Sequence, residues 1–127
     1  MTNLDSLAAQ AVPAHMNEVR ISAAAFIEKW QAGGCELLDI RVPAETRAWK
    51  MGFGLAIPAD QIAERLDELP RDKLLVVACP NSDRSSIVRF YLAAKGYDAV
   101  YLMGGLLGLA DALKGKTSEA LSLEAGA

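Results

Sequence analysis

Short apolar runs alternate along the chain with longer stretches in which apolar residues recur every three or four positions, so strands and helices succeed one another. The most apolar run is Leu74-Leu75-Val76-Val77-Ala78. It carries no charge and reads as a strand buried on both faces, the pattern of a central parallel strand. Cys79 ends it. Pro80, Asn81, Ser82 and Asp83 then break regular structure, and helical spacing resumes over 85–95 with Gly96 as the stop. Cys79 is therefore predicted at a strand-to-helix turn.

The same reading orders the rest of the chain. A brief strand over 19–21 leads to Ser22, an N-cap for a helix over 23–32 with Phe26, Ile27 and Trp30 on one face, and Gly33-Gly34 ends it. A strand over 36–40 follows, with Asp39 and Arg41 at its exit. Pro43 opens a short helix over 44–50, residues 55–57 form a short strand, and Ile62, Leu66 and Leu69 mark an amphipathic helix over 59–69 closed by Pro70. Beyond the central unit come a strand over 99–102, the turn Met103-Gly104-Gly105, and a helix over 106–114. Strands alternating with helices predict an α/β fold, a parallel sheet of about five strands with helices on both faces and right-handed crossovers. Residues 1–17 read as a flexible N-terminal arm, 18–115 as the domain and 116–127 as a C-terminal tail.

Composition narrows the classes without changing this picture. The 127 residues suffice for one domain, and 52% hydrophobic with 23% charged fits neither a disordered nor a membrane-embedded chain. A net charge of −3 with scattered lysines and arginines argues against nucleic acid as a partner. Neither a signal-peptide pattern nor a long apolar run is present, so no membrane partner and a cytoplasmic location are expected. The two cysteines, Cys35 and Cys79, are expected to stay reduced. Cys35 reads as structural, with a resolving-thiol role as the alternative. His15, the only histidine, falls in the arm and reads as solvated surface rather than a general base. These groups are not spaced as a metal-ligand set, and no cofactor is expected.

The chemistry gathers at Cys79. Unpaired N–H groups and the macrodipole at a helix N-terminus favour an anion, and a cysteine there can have its pKa lowered from about 8.5 to about 3.5–7.5. Arg84 opens the helix and is positioned to turn back toward the sulfur or toward a bound oxyanion. The plain alternative is that Cys79 is only a small buried hydrophobe, as free cysteines commonly are. Against it stands its position in the crevice where open α/β sheets bind ligands.

Three blocks carry a resemblance. Leu37-Leu38-Asp39-Ile40-Arg41-Val42-Pro43-Ala44-Glu45, the strand and loop from Leu74 to Ser85, and Ala99-Val100-Tyr101-Leu102-Met103-Gly104-Gly105-Leu106 together resemble the single-domain rhodaneses, a sulfurtransferase family, over residues 19–114. The resemblance implies a rhodanese-like fold in which Cys79 is the nucleophile and sulfur carrier. It further implies that the loop amides from Asn81 to Arg84 hold the anion and that Arg84 orients loop and donor. Asp39 and Arg41 take a supporting role, or else form a local surface ion pair worth about a kcal/mol or less. The glycine pair lies beside the loop.

Four residues separate Cys79 from Arg84, one fewer than in phosphatases of rhodanese-like fold, so the shorter loop favours a persulfide over a phosphoryl group. The chain also departs from the family. The histidine usual between Met51 and Pro58 is missing, Ser82 stands where glycine is common, and Pro80 brings no N–H. Asp83 adds a negative charge that opposes a thiolate and a dianionic donor. Ser82, Ser85 and Ser86 either compensate as hydrogen-bond donors or serve as helix caps.

The expectation is a sulfurtransferase that moves a sulfane sulfur through a Cys79 persulfide. Its donor would be thiosulfate or a small-thiol or protein persulfide, with preference for the persulfides, and its acceptor a thiol or cyanide. Pro80, Asn81, Ser82, Asp83 and Ser85 would form the anion loop. A catalytically silent binding or redox-sensing module stays open as the alternative, and a phosphatase as a third.

Overall fold

The computed structural model of the protein describes residues 4–114. Five strands, β1 (Arg20–Ile21), β2 (Cys35–Asp39), β3 (Leu55–Ala56), β4 (Leu74–Ala78) and β5 (Ala99–Leu102), form one sheet in the order β1-β5-β4-β2-β3. Every pairing is parallel, and β4 is central as its uncharged sequence predicts. The helices are α1 (Leu4–Ala8), α2 (Ala23–Gln31), α3 (Pro43–Ala48), α4 (Asp83–Ala94) and α5 (Gly105–Ala112).

Successive residues of β4 point to opposite faces, and both faces are covered. Val76 and Ala78 join Phe26 and Trp30 of α2 and Leu106 and Leu109 of α5 in one core. Leu75, Val77 and Cys79 join Leu92 of α4, Ile62, Leu69 and Tyr97 in the other. The α/β architecture with helices on both faces is thus the observed one. Ser22 caps α2, its Oγ accepting from the Ala25 N–H at 3.1 Å.

Two expectations need correction. The amphipathic segment over 59–69 is not an α-helix but two 3-10 helices, Ala59–Glu64 and Leu66–Glu68. Proline brackets the segment at positions 58 and 70, and Arg65 leaves helical geometry at φ −124° and ψ 24°. The tighter winding still carries Ile62 and Leu69 into the core.

The described part of the expected free arm is also folded onto the domain. Leu7 of α1 is only 5% exposed, a 3-10 helix runs over Pro13–Glu18, and Gln10 Oε1 accepts from Arg89 Nη1 at 3.2 Å. One buried leucine and one guanidinium contact outweigh the polar, small-residue composition that suggested a loose arm. The expected tail over 116–127 lies outside the described residues.

Candidate active site

Because all strands run the same way, their carboxyl ends share one edge of the sheet. In the register Asp39 sits beside Ala78, so Asp39, Arg41 and Cys79 emerge together. Asp39 and Arg41 are no surface pair. Arg41 is 1% exposed, donates to both Asp39 carboxylate oxygens through Nε and Nη2 and to the Trp49 carbonyl at 3.0 Å, and lies 4.2 Å from the centroid of the Trp49 ring. The pair thereby fastens the exit of β2 to the end of α3. A buried pair with this many hydrogen bonds costs several kcal/mol to break on one side, unlike an exposed one.

Cys79 follows β4 and is 0% exposed. Among the described residues one main-chain N–H reaches its Sγ, that of Ser85 at 3.4 Å. The thiol otherwise faces acceptors, the Asn81 carbonyl at 3.4 Å, Ser85 Oγ at 3.5 Å and Asp83 Oδ1 at 3.7 Å. The expected ring of amides from Asn81 to Arg84 around the sulfur is therefore not formed. Ser82 sits at φ −127°, and no non-glycine residue among those described adopts positive φ. Without a left-handed residue at that point the loop turns the Asn81 carbonyl, not a row of N–H groups, toward the sulfur.

The loop is held from outside by the start of α5. The Leu106 N–H donates to the Cys79 carbonyl at 2.8 Å, the Leu107 N–H to the Pro80 carbonyl at 3.2 Å, and the Gly104 N–H to Ser82 Oγ at 3.3 Å. The free N–H groups of that helix end are thus spent on the loop. Gly104 and Gly105 have φ of 74° and 60°, and a Cβ on Gly105 would lie 2.0 Å from the Asn81 oxygen and 2.5 Å from those of Cys79 and Pro80. No larger residue fits there. Ser82 does not cap α4 with its side chain. Ser85 Oγ donates to the Ser82 carbonyl and Ser86 Oγ to that of Asp83.

Arg84 does not point at the sulfur either. Its Nη1 and Nη2 donate to Glu45 Oε1 and Oε2 at 2.8 and 2.9 Å, a bidentate pair across 39 residues of sequence. The pairing holds the Glu45 carboxyl down at about 2 and pushes the Arg84 guanidinium up, with the charges of Cys79 and Asp83 as smaller contributions to Arg84. Glu45 is the site residue that sequence reasoning missed. Its local signal is that of a third-position acid in a short helix, where its Oε1 also accepts from the Val42 N–H at 3.1 Å. Nothing local reveals the longer reach.

Apolar side chains surround this edge. Ile87, 71% exposed, stands on the second turn of α4, Met103 and Leu107 flank the glycine turn, and Val42 and Trp49 flank α3, all exposed. Cys35 opens β2 at the opposite end of the sheet, and His15 bonds Glu18 on the surface. Among the described residues no group of three or more His, Cys, Asp or Glu could hold a metal ion, and no helix is long and apolar enough to cross a membrane.

No family model matches the chain. A sulfurtransferase of Allochromatium vinosum is 36% identical over 72 residues, which cover 56% of this chain and 67% of the relative. A rhodanese-related protein of Thermoplasma volcanium superposes with a TM-score of 0.66 at 28% identity, covering 73% of this chain and 91% of that one. A rhodanese-like domain protein of Staphylococcus aureus does so with a TM-score of 0.66 at 26% identity, covering 72% and 90%. A Rhodopseudomonas palustris protein described as a possible tyrosine phosphatase shares the fold with a TM-score of 0.65 at 17% identity, covering 88% and 92%. With the parallel sheet and the cysteine loop on its carboxyl edge, these likenesses identify the chain as a member of the single-domain rhodanese family of sulfurtransferases.

Proposed function

We propose that the protein moves a sulfane sulfur through a persulfide on Cys79. The observation that carries this reading is the placement of Cys79 directly after the central strand, its Sγ accepting the Ser85 N–H at the first turn of α4. A thiolate there attacks the outer sulfur of a donor persulfide R–S–SH. The new S–S bond to Cys79 forms as the donor's S–S bond breaks, giving Cys79–S–SH and R–S⁻. An acceptor thiolate then takes the outer sulfur in the same way and restores the Cys79 thiolate. The thiol proton leaves toward the Asp83 carboxylate, the nearest one to it. Cyanide is an alternative acceptor. No general base is needed once the thiolate has formed.

The donor class follows from what faces the sulfur. Asp83 and the Asn81 carbonyl repel a dianion such as thiosulfate, and the loop holds no lysine to offset them. The exposed apolar residues Ile87, Met103 and Leu107 suit the surface of a small-thiol or protein persulfide. Pro80, Asn81, Ser82, Asp83 and Ser85 form the lip of the site, Arg84 and Glu45 hold it, and Asp39 and Arg41 brace it. Since Cys79 is fully covered, loading requires the loop over 80–83 to open. Both cysteines are free, which suits a reducing, cytoplasmic setting.

Incubating the protein with glutathione persulfide and reading intact mass tests the proposal. A gain of one sulfur in the wild type and none in Cys79→Ser is the expected result. A folded wild type that never gains sulfur from glutathione persulfide or thiosulfate sinks it. The covered thiol facing Asn81 and Asp83 favours, in that event, a silent binding or redox-sensing module, whereas turnover of an aryl phosphate would mark a phosphatase. Faster loading from thiosulfate than from glutathione persulfide would remove the donor preference alone.

A further inference from the structure

A second pocket lies away from the cysteine loop, between the N-terminal segment and α4. It holds about 280 Å³ and is lined by Leu7, Met16, Val19 and Phe90, with Gln10, Ser86, Arg89 and Tyr101 as its polar residues. Arg89 is an unusual residue to find there. It is only 8% exposed, yet its guanidinium bonds neutral oxygens alone, Nε to the Ala99 carbonyl at 2.8 Å and Nη1 to Gln10 Oε1 at 3.2 Å. Among the described residues no carboxylate pairs with it, and Nη2 has no protein acceptor and stays open to solvent. Burial pushes its pKa down, with the exposed Asp98 opposing weakly through space. Burying a cation without a counter-charge is costly, and an anion that enters the pocket relieves that cost.

The other open donor is the Tyr101 hydroxyl, which is likewise without a hydrogen bond among the described residues. A guanidinium and a hydroxyl lining one largely apolar pocket match a flat, singly charged head with a hydrocarbon tail. The volume falls just below the range of about 300–1,000 Å³ common for ligand pockets, so the tail is short. A phosphate would bring more charge than one guanidinium balances, and a neutral alcohol would leave it unbalanced.

We propose that this pocket binds a short-chain aliphatic carboxylate, the carboxylate on Arg89 and Tyr101 and the chain against Leu7, Met16, Val19 and Phe90. None of these residues is among the hydrogen-bond partners of Cys79 or Arg84, so the site is proposed as separate from sulfur transfer. A bound carboxylate also ties α1 to α4 through the same guanidinium that holds Gln10.

Hexanoate is the probe, with hexanol and acetate as controls, each titrated into the full chain by calorimetry and by amide chemical shifts. Hexanoate is expected to bind at least tenfold more tightly than hexanol or acetate, shifting the amides of Leu7, Met16 and Phe90. Arg89→Met is expected to lose at least tenfold in hexanoate affinity and Tyr101→Phe about threefold, while both still gain sulfur on Cys79 as the wild type does. Equal binding of hexanol and hexanoate overturns the proposal, as does no hexanoate binding by the wild type. If Arg89→Met fails to fold, the Tyr101→Phe titration and the hexanol comparison decide: unchanged affinity in the first, or equality in the second, refutes it.

Discussion

The two cysteines of this chain are equally hidden and chemically opposite. Cys35 and Cys79 are both 0% exposed and both free, and β2 and β4 lie side by side. Cys35 sits at the amino end of its strand, where burial and the neighbouring Glu36 push its thiol up to about 11. Lys29 and Lys73 offset this only in part. Cys79 sits past the carboxyl end of its strand, beside the first turn of α4 and the glycine turn. Burial alone therefore does not mark a reactive thiol. The end of the sheet decides which one stands at the crevice where open α/β sheets take ligands.

The largest effect that would sharpen this contrast is loss of sulfur loading. Cys79→Ser is expected to abolish the gain of sulfur by mass, and Cys35→Ala, which adds no polar group to the apolar core, to leave it within about twofold. Loading that follows Cys35 instead would overturn the whole assignment. Next comes Gly105→Ala. Its Cβ would fall within 2.5 Å of three loop carbonyl oxygens at φ 60°, so a loss of about 3 kcal/mol in urea unfolding is expected, with loading lost in whatever protein folds. Gly108→Ala is the control, since the nearest atom there is 3.9 Å away inside α5, and it is expected to gain about 0.5–1 kcal/mol. Similar losses in both would show that the turn does not press on the loop.

What the sequence reveals follows the range of the interactions. The β4 run and the glycine-terminated helices are read directly because local periodicity and stop signals set them, whereas the sheet order rests on long-range pairing that the sequence does not show. The loop over 80–83 is legible in its position and not in its lining. Whether a loop shows N–H groups or carbonyls to its centre turns on backbone angles at Ser82, which one residue name does not fix. Glu45 escapes notice because its partner Arg84 is distant in sequence, and the docking of α1 because it depends on Leu7 and Gln10 finding α4. The 3-10 winding over 59–69 is hidden for a related reason: Ile62, Leu66 and Leu69 satisfy both windings, and Arg65 chooses between them.

A smaller effect probes the acidic side of the loop, for which the Cys35 end has a counterpart in Glu36. Asp83 Oδ1 accepts from the Cys79 thiol at 3.7 Å, so a negative charge stands beside the sulfur that an anionic reagent must reach. Asp83→Asn is expected to speed alkylation by iodoacetate at neutral pH about tenfold, the equivalent of about 1.4 kcal/mol of relieved repulsion. Loading from thiosulfate should rise more than loading from glutathione persulfide. An unchanged alkylation rate would mean that loop opening, not charge, limits access to the sulfur.

The smallest effect concerns the ion pair that closes the Cys79 end and has no equivalent near Cys35. Glu45 is lowered from 4.5 to about 2 in the folded protein, chiefly by its hydrogen bonds from Arg84. A carboxyl lowered by folding contributes stability that is fully present above about 4.5 and fades as pH falls toward 2. Both partners are about one third or more exposed, so solvent screening holds this contribution to about 1 kcal/mol or less. Glu45→Gln keeps one acceptor for the guanidinium and removes the charge. Its stability deficit, measured by urea unfolding, is expected at pH 7 and to shrink between pH 4.5 and 2, where the wild-type carboxylate takes up its proton as well. Because Arg84 is then held by one neutral acceptor instead of a bidentate carboxylate, alkylation of Cys79 by iodoacetamide is expected to rise severalfold. A deficit that is constant with pH would assign Glu45 to capping Val42 alone and leave Arg84 without a clamp.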